Sequence, residues 1–222
     1  MNSHIVILSG GLGSRLNNTE NRPKPLVEIN GKSLLARLIE SLNKTNVFKH
    51  FHIITCNQKE FFREILNKEI PHINFTIHDE IKRTGRMGAL KFFIDSQNNI
   101  DKFFVCNGDT LFLNLKKLEL IKPVMKFNYN PIVFVANSDS SRNDYKEIII
   151  KNKDSLTSFQ NSGLIYISRK WIIDKISGNS NLRDLDDFLF EDERSIIFSI
   201  LKTKILDGGT PARLSYIRGL IN

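Results

Sequence analysis

Three glycines near the start of the chain are followed directly by a hydroxyl group and a guanidinium group. After an apolar run that ends at Leu8, residues 9–16 read Ser-Gly-Gly-Leu-Gly-Ser-Arg-Leu. Glycines let the backbone turn tightly and bring successive N–H groups close to a ligand. Arg15 adds a planar set of donors that matches phosphate oxygens. The segment predicts a phosphate-binding loop, and a glycine-rich turn that binds nothing is the alternative.

Two other glycine-rich nucleotide motifs do not fit this spacing. A dinucleotide fingerprint that begins at Gly11 requires a glycine at position 16, which is Leu16. A P-loop that ends at Lys32 and Ser33 requires a glycine where Leu26 stands. The phosphate-binding interpretation therefore depends on the composition of the loop and not on either motif.

A lysine between two prolines follows the loop, as Pro23-Lys24-Pro25. Because each proline fixes its own backbone angle, the ammonium group of Lys24 is held at a defined place. The triplet alone is equally typical of a linker. Together with the glycine-rich loop, it predicts a second fixed cation for a polyphosphate.

Two aspartates stand beside glycines at the ends of apolar runs. Asp109 occurs in Asn107-Gly108-Asp109-Thr110, and Asp207 begins the segment Asp-Gly-Gly-Thr-Pro at residues 207–211. A hard cation such as Mg²⁺ prefers carboxylate and phosphate oxygens and keeps few protein ligands. Each aspartate alone is typical of a turn. With the loop and the lysine, the pair predicts a site for a metal ion and a triphosphate.

The apolar pattern indicates how these residues are positioned. Up to about residue 107, short apolar runs alternate with stretches of helical period, which is typical of βαβ units. Predicted strands cover residues 4–8, 51–55, 73–78 and 102–106, and predicted helices cover residues 33–42, 59–67 and 87–95. Right-handed crossovers make such strands parallel and place ligands at their carboxyl ends. The glycine-rich loop and Asp109 are therefore expected at one edge of a sheet.

The pattern changes after Asp109. Predicted strands at residues 131–136, 145–150 and 162–167 are joined by polar turns, which favours a mixed or antiparallel extension. Predicted helices at residues 183–191 and 211–220 flank a last strand near residues 202–206, and Thr210 with Pro211 fits a helix start. Because no linker rich in Gly, Ser or Pro divides the chain, we expect a single α/β domain over residues 1–222.

Composition excludes several classes of protein. The 222 residues are 41% hydrophobic and 25% charged, which is typical of a globular domain and not of a disordered chain or a disulfide scaffold. Their apolar runs are far shorter than the ~20 residues that cross a bilayer. No basic region precedes the first apolar run, so we expect no secretory signal and a cytoplasmic protein. Cys56 and Cys106 are expected to be buried free thiols.

A net charge of +8 suits an anionic partner, but the basic residues are scattered along the chain. A solvated basic surface is therefore an adequate interpretation of the charge. A nucleic-acid-binding domain has only the net charge in its favour, since no aromatic and basic face typical of RNA binding is evident.

The motifs, in their order and spacing, resemble those of the sugar-phosphate nucleotidyltransferases. The signature G-G-x-G-[ST]-R-L is matched by residues 10–16, P-K-P by residues 23–25, the Gly-Asp motif by residues 108–109, and Asp-x-Gly-[TV]-P by residues 207–211. The chain is most similar to short bacterial members without the C-terminal β-helix domain, such as the guanylyltransferases that act on heptose 1-phosphate. Their nucleoside-contacting segment G-T-G-G-A-I-K is matched in part by residues 85–91, where Arg86 and Met87 replace smaller residues.

The resemblance implies a Rossmann-like, mostly parallel central sheet flanked by helices, as in GT-A-like nucleotidyltransferases. A smaller mixed-sheet part would bind the acceptor. The nucleotide-binding part would cover residues 1 to about 110, and the acceptor-binding part about 111 to 222.

The implied reaction is attack by an acceptor phosphate on the α-phosphorus of a nucleoside triphosphate, with release of pyrophosphate. Its partners would be the triphosphate and a sugar 1-phosphate, with GTP and a heptose or hexose 1-phosphate as the first expectation. Neither nucleic acid nor a membrane is expected, and the protein would be a monomer or a homodimer. A UTP or CTP transferase for another phosphomonoester, and an inactive nucleotide-binding relative, stay open.

The resemblance also implies roles for individual residues. Arg15, Lys24 and Asp109 would be catalytic, and Asp109 and Asp207 would hold Mg²⁺. Gly11, Gly13 and Arg15 would hold the outer phosphates, while Lys24 would stabilise charge on the α-phosphoryl group. The nucleotide-binding residues would be Leu8, Gly10, Gly11, Gly13, Ser14, Arg15, Gly85, Gly88 and Asp109.

The acceptor side departs from the family pattern. Relatives carry a Glu-Lys pair before an N-G-G strand, whereas this chain passes from Gln160 straight to Asn161-Ser162-Gly163. The pocket segment Tyr-Gly of relatives is Tyr145-Lys146 here. Lys146, Asn161 and Gly163 are therefore the candidate acceptor-binding residues, and Lys146 could also face solvent.

Overall fold

The computed structural model describes residues 3–11, 22–127, 131–137, 147–152, 155–177, 184–191 and 196–221. The strands within these ranges are β1 (Ser3–Leu8), β2 (Glu28–Ile29), β3 (Lys32–Ser33), β4 (Phe48–Cys56), β5 (Phe75–Glu80), β6 (Lys102–Asn107), β7 (Thr110–Leu113), β8 (Ile132–Asn137), β9 (Glu147–Asn152), β10 (Ser155–Ser168), β11 (Ile197–Ile200) and β12 (Lys204–Asp207). The α-helices are α1 (Leu34–Asn43), α2 (Lys59–Glu69), α3 (Gly85–Ser96), α4 (Lys117–Lys126), α5 (Arg169–Ser177), α6 (Leu185–Phe190) and α7 (Pro211–Leu220).

Eight of these strands form one mixed sheet, in the order β11-β8-β10-β6-β1-β4-β5, with β9 paired to β10. Strands β6, β1, β4 and β5 are parallel. Strand β10 runs antiparallel to both β6 and β8. The parallel strands thus form one half of the sheet. A mixed extension, in which β11 pairs parallel to β8, forms the other half, as the sequence predicts.

Helices cover both faces of the sheet, because the inner strands carry apolar side chains on both faces. On one face, Ile5 and Ile7 of β1 pack in a buried cluster that includes Leu38 of α1 and Phe62 of α2. On the other face, Val6 packs in a cluster supplied by α3, α5 and α6. Continuous apolar strands of this kind are typical of parallel sheets buried on both faces.

A third, smaller cluster lies beside the main sheet. Strands β7 and β12 form an antiparallel ladder in which Asp207 is opposite Thr110. Leu111, Leu206 and Leu214 are buried together with Val27 and Ile29. This cluster ties the segment around Lys24 and the segment around Asp207 to the strand that follows Asp109.

Most predicted elements are observed, with differences at several places. The predicted helix at residues 183–191 is the shorter α6, and the last strand begins at Lys204 instead of residue 202. Strands β2, β3, β7 and β11 and helices α4 and α5 were not predicted. Of the strand predicted at residues 145–150, Tyr145 and Lys146 lie outside the described residues. Cys56 and Cys106 are buried free thiols, as predicted. Within the described ranges, no helix combines the length and apolarity needed to cross a membrane.

Candidate active site

A cavity of about 550 Å³ lies where the parallel strands end. Strands β1, β5 and β6 end at Leu8, Glu80 and Asn107, and all three residues line the cavity. The remaining lining residues are Ser9, Gly10, Gly11, Lys24, Pro25, Ile54, Arg83, Thr84, Gly85, Arg86, Ala89, Asp109, Asn161, Gly163, Asp186 and Gly209. The cavity therefore reaches from β5 across β1 and β6 to β10.

Lys24 and Asp109 form an ion pair in the wall of this cavity. Lys24 begins a short 3₁₀ turn, Lys24–Leu26, whose prolines fix the backbone on both sides of it. The side chains are 12% and 19% exposed, so the pair is shielded from bulk water but open to a ligand in the cavity. An ammonium group and a carboxylate are thus held together at the edge of the sheet.

Asp207 lies next to this pair, at the end of β12. The N–H of Gly208 donates to the carbonyl oxygen of Asp109 at 2.9 Å, which joins the two backbones. The Asp207 side chain is 2% exposed, and its Oδ1 accepts from Arg213 Nη1 at 2.9 Å and from the N–H of Gly209 at 2.8 Å. Arg213 is placed by the start of α7, where its N–H donates to Thr210 Oγ1 at 3.3 Å. Asp207 and Arg213 form a second ion pair.

Gly209 allows the two ion pairs to approach each other. A Cβ atom at Gly209 would lie 2.5 Å from Asp207 Oδ1, 3.2 Å from Arg213 Nη1 and 3.4 Å from Lys24 Nζ. The charged atoms of three residues therefore surround one small space, which a side chain at position 209 would fill.

Glu80 and Arg83 define the β5 end of the cavity. Glu80 is 6% exposed, and its Oε1 accepts from Thr84 Oγ1 at 2.6 Å. Burial raises the pKa of Glu80, the charge of Asp79 adds to this effect, and the hydrogen bond from Thr84 opposes it. Arg83 Nε donates to the carbonyl oxygen of Gly10 at 2.9 Å, which joins the loop after β5 to the loop after β1.

Polar side chains from β10, α3 and α6 define the opposite end. Asn161 is 5% exposed, its Oδ1 accepts from the N–H of Gly163 at 2.9 Å, and its Nδ2 donates to Asp186 Oδ1 at 3.3 Å. Arg86 forms ion pairs with Asp184 and Asp186. Gly163 has a φ of +75°, and a Cβ there would lie 2.9 Å from Asn107 Nδ2.

The structure brings many of the sequence-predicted residues to this cavity. Those that line it are Leu8, Gly10, Gly11, Lys24, Gly85, Asp109, Asn161 and Gly163. Gly88 is buried inside α3 and Asp207 is buried beside Gly209, so neither lines the cavity. Gly13, Ser14, Arg15 and Lys146 lie outside the described residues. The roles of all these residues stay predictions.

The carboxylates of Asp109 and Asp207 suit a hard divalent cation, because both offer only oxygen atoms as ligands. The two residues also lie at adjoining strand ends. Within the described ranges, no group of three or more His, Cys, Asp or Glu side chains could hold a metal ion. Mg²⁺ usually keeps only one or two protein carboxylates beside substrate phosphates, so two aspartates suffice for such a site. The residues that would hold the cation are Asp109, which lines the cavity, and Asp207, whose buried carboxylate is bound to Arg213.

Sequence reasoning missed Glu80, Arg83 and Asp186 as cavity residues. Glu80 had a usable signal, since it is a charged residue at the last position of β5, at the carboxyl edge of the sheet. Arg83 stands in a polar loop, and Asp186 reaches the cavity only because α6 packs beside Arg86 and Asn161. Nothing local in the sequence indicates that packing.

A family model and several curated proteins match this chain. Residues 5–174 match the MobA-like NTP transferase domain family. The bifunctional protein GlmU of Methanocaldococcus jannaschii is 29% identical over 204 residues, which is 85% of this chain and 47% of that protein. The bifunctional sugar-1-phosphate nucleotidylyltransferase/acetyltransferase of Sulfurisphaera tokodaii is 32% identical over 152 residues, which is 68% of this chain and 34% of that protein. The chain therefore spans less than half the length of these two curated relatives.

Solved structures share the fold. HddC from Yersinia pseudotuberculosis, complexed with GMP-PN, matches with a TM-score of 0.79 at 22% identity, over 99% of this chain and 100% of that chain. The predicted nucleotidyltransferase fold is thus confirmed. Since the family match spans residues 5–174 of 222, the chain belongs to the MobA-like NTP transferase domain family.

Proposed function

We propose that this protein is a metal-dependent sugar-1-phosphate nucleotidylyltransferase that releases pyrophosphate. The observation that carries the proposal is the Lys24–Asp109 pair, held in a cavity beside the Gly10-Gly11 backbone. A nucleotidyl transfer needs alignment and charge neutralisation from the protein, and does not need a covalent nucleophile. A fixed cation, a carboxylate and a glycine-rich backbone supply those requirements.

In the proposed reaction, an acceptor phosphate oxygen forms a bond to the α-phosphorus of the triphosphate. The bond from that phosphorus to the oxygen that bridges to the β-phosphorus breaks, and its electron pair leaves with pyrophosphate. The backbone at Gly11 binds the outer phosphates, and the Lys24 ammonium exchanges Asp109 for an oxygen of the α-phosphoryl group as charge grows there. Asp109 and Asp207 would hold Mg²⁺, which when bound would supply charge neutralisation for the substrate phosphates.

Glu80 favours GTP as the nucleotide. Guanine presents two adjacent donors, N1–H and the N2 amino group, which a single carboxylate can accept together. Uracil and thymine present one N–H donor, which lies between two carbonyl oxygens. A carboxylate repels those oxygens. Glu80 lies at the β5 end of the cavity, away from Asn161 on β10, so a base there leaves the other end for the acceptor.

The relatives support sugar-1-phosphate nucleotidyl transfer, whereas the choice of GTP rests on Glu80. The Sulfurisphaera tokodaii relative is named for sugar-1-phosphate nucleotidylyltransferase activity, and the HddC structure holds the guanine nucleotide analogue GMP-PN. For this chain, we propose a heptose or hexose 1-phosphate as the acceptor. The NDP-sugar product would serve nucleotide-sugar biosynthesis in the cytoplasm, for capsule or lipopolysaccharide.

A pyrophosphate-release screen tests the proposal. GTP, UTP, CTP and dTTP are each combined with a panel of sugar 1-phosphates and other phosphomonoesters, with Mg²⁺ and with a chelator. We expect Mg²⁺-dependent release that requires both substrates and is fastest with GTP. Nucleotide binding without release under every condition would make the protein an inactive relative.

Glu80→Gln tests the base assignment separately. The amide removes the double acceptor, so the preference for GTP over UTP should fall by about tenfold to a hundredfold. Glu64→Gln, an exposed position on α2, is the matched control and should leave the preference unchanged. An unchanged preference in Glu80→Gln would move base recognition to another residue.

A further inference from the structure

The loop that joins β5 to α3 is fixed beside the end of β1. Asn57, directly after β4, holds the start of this loop, since its Nδ2 donates to the carbonyl oxygen of Ile81 at 2.8 Å. Thr84 holds the end of the loop, since its Oγ1 donates to Glu80 Oε1 at 2.6 Å. Between these two contacts, Arg83 is exposed and lines the cavity. The loop therefore presents the Arg83 side chain to the cavity from a defined position.

Arg83 binds the peptide unit between Gly10 and Gly11. Its Nε donates to the carbonyl oxygen of Gly10 at 2.9 Å. That peptide bond is trans, so the N–H of Gly11 points away from the Gly10 carbonyl oxygen and hence away from Arg83. Gly11 lines the cavity, and none of the described residues accepts a hydrogen bond from its N–H. The bond from Arg83 therefore fixes the direction of a backbone donor that a ligand can use.

Packing alone does not hold this peptide unit in one orientation. Glycine reaches positive φ as readily as negative φ, so a peptide between two glycines turns over at low cost. A Cβ at Gly11 would meet nothing within 4 Å, and the nearest atom to a Cβ at Gly10 would be the Thr55 carbonyl carbon at 3.5 Å. A hydrogen bond from a guanidinium is stronger than one from a neutral donor, and it polarises the N–H on the other side of the peptide. The contact with Arg83 therefore selects one orientation of the unit.

Arg83 differs from Arg86, the other described arginine that lines the cavity. Arg86 forms ion pairs with Asp184 and Asp186, whereas Arg83 pairs with no carboxylate among the described residues. The bond to Gly10 is what orients the Arg83 side chain. Because Nε is already bonded to the backbone, the geometry favours an effect through this donor over a grip of the whole guanidinium on a phosphate.

We propose that Arg83 is a positioning residue, which orders the Gly10–Gly11 peptide so that the Gly11 N–H meets the outer phosphates of the nucleotide. The inference rests on the proposed function and deepens it, because it explains how a flexible glycine pair becomes a preorganised phosphate site. A donor that is fixed before binding needs no reorganisation when the ligand arrives. Loss of the Arg83 contact should therefore weaken binding of the outer phosphates and leave contacts with the base unchanged.

Two substitutions separate the donor atom of Arg83 from its charge. In Arg83→Gln, the amide nitrogen stands as many bonds from the backbone as the Nε of arginine, so the donor stays and the charge is lost. In Arg83→Lys, the charge stays, but a methylene group replaces Nε. Arg83→Ala removes both. Lys82→Gln is the matched control, because Lys82 is exposed, does not line the cavity and loses the same charge.

Dissociation constants of GTP and GMP are measured by titration calorimetry with Mg²⁺ and without an acceptor. Their ratio reports the contribution of the outer phosphates and does not depend on the fraction of protein that is folded. We expect Arg83→Ala and Arg83→Lys to lower the preference for GTP over GMP by about tenfold. Arg83→Gln and Lys82→Gln should stay within about threefold of the wild type. Magnesium pyrophosphate, which lacks a base, should bind to the variants in the same order.

Four outcomes overturn the inference: an unchanged preference in Arg83→Ala, a wild-type preference in Arg83→Lys, a loss in Arg83→Gln as large as in Arg83→Ala, or wild-type binding of GTP no tighter than that of GMP. A preference kept by the lysine variant and lost by the glutamine variant would show that Arg83 acts through its charge. Failure of the proposed function is a different result. In that case the binding pattern of the variants persists, but no acceptor supports pyrophosphate release.

Discussion

At the scale of single residues, the candidate site consists of two neighbouring ion pairs whose surroundings differ. Lys24 and Asp109 face the cavity, whereas the Asp207 side chain is nearly inaccessible to solvent. A substitution in the first pair should change the chemistry with little effect on folding. A substitution in the second pair should change both the chemistry and the stability, because its carboxylate is only 2% exposed and losing a fully buried charge-assisted hydrogen bond costs more than losing one that faces a cavity.

Asp109→Asn and Asp207→Asn should separate these effects. We expect each to lower kcat by at least about a thousandfold, since about 4 kcal/mol of transition-state stabilisation depends on each carboxylate. Asp207→Asn should also lower the free energy of unfolding by about 2 kcal/mol, because its bond to Arg213 loses one charge. Asp95→Asn, whose exposed partner is Lys91, is the control for both measurements. Wild-type turnover at saturating Mg²⁺ would remove the aspartate concerned from the site.

Lys24→Ala should lower kcat far more than it weakens nucleotide binding. The charge that the ammonium meets grows during transfer, so its contribution belongs mainly to the transition state. Single-turnover rates and the dissociation constant of the triphosphate are compared with those of Lys68→Ala, an exposed position on α2. A large loss of affinity at an unchanged rate would make Lys24 a binding residue only.

At the scale of elements, the ends of strands place the site, and short non-local pairings complete it. The glycine-rich loop and Asp109 could be predicted from the sequence, because both follow apolar strands whose carboxyl ends share an edge. The β7–β12 ladder could not be predicted from the sequence, since it joins two four-residue strands that are far apart in the chain. The position of Asp186 in the cavity could not be predicted either, because it depends on how α6 packs against Arg86.

Gly163 illustrates how one element shapes the cavity. Its φ of +75° disfavours other residues, and an added Cβ would crowd Asn107 Nδ2 at 2.9 Å. Gly163→Ala should therefore lower the free energy of unfolding by about 1 to 3 kcal/mol, measured by urea unfolding. In Gly219→Ala, the new methyl group on α7 meets nothing within 4 Å. The free energy of unfolding should therefore be unchanged or rise by up to about 1 kcal/mol. Equal effects in the two variants would contradict the strain at Gly163.

At the scale of the whole molecule, a row of histidines crosses the parallel strands on the face covered by α3. His4 Nδ1 lies 2.9 Å from His52 Nε2, and His52 Nδ1 lies 3.0 Å from His78 Nε2. Phe93 of α3 packs against His52 with ring centroids 4.9 Å apart. Burial, and then the charges of the neighbouring histidines, lower the pKa of His52 to about 3. Burial is also the largest cause that lowers the pKa of His4, His50 and His78.

The histidine row predicts that acid destabilises the fold. Below the ordinary histidine pKa of about 6.5, the unfolded chain binds protons that these neutral imidazoles do not bind, so stability is complete above that pH and falls below it. Between pH 6 and 5, His52→Gln should make the pH dependence of the unfolding free energy less steep by about 1 kcal/mol per pH unit. His72→Gln, at an exposed position outside the row, should leave it unchanged. An equal slope in wild type and His52→Gln would show that His52 does not titrate on unfolding.

The central claim is nucleotidyl transfer at the α-phosphorus, and the fate of two labels tests it most directly. The protein is incubated with Mg²⁺, a sugar 1-phosphate that supports turnover in the screen, and GTP labelled at either the α- or the γ-phosphorus. We predict that the α-label appears in the organic product and that the γ-label appears in pyrophosphate, with both transfers lost in Asp109→Asn. Transfer of the γ-label to the sugar phosphate, or its release as orthophosphate, would contradict the account.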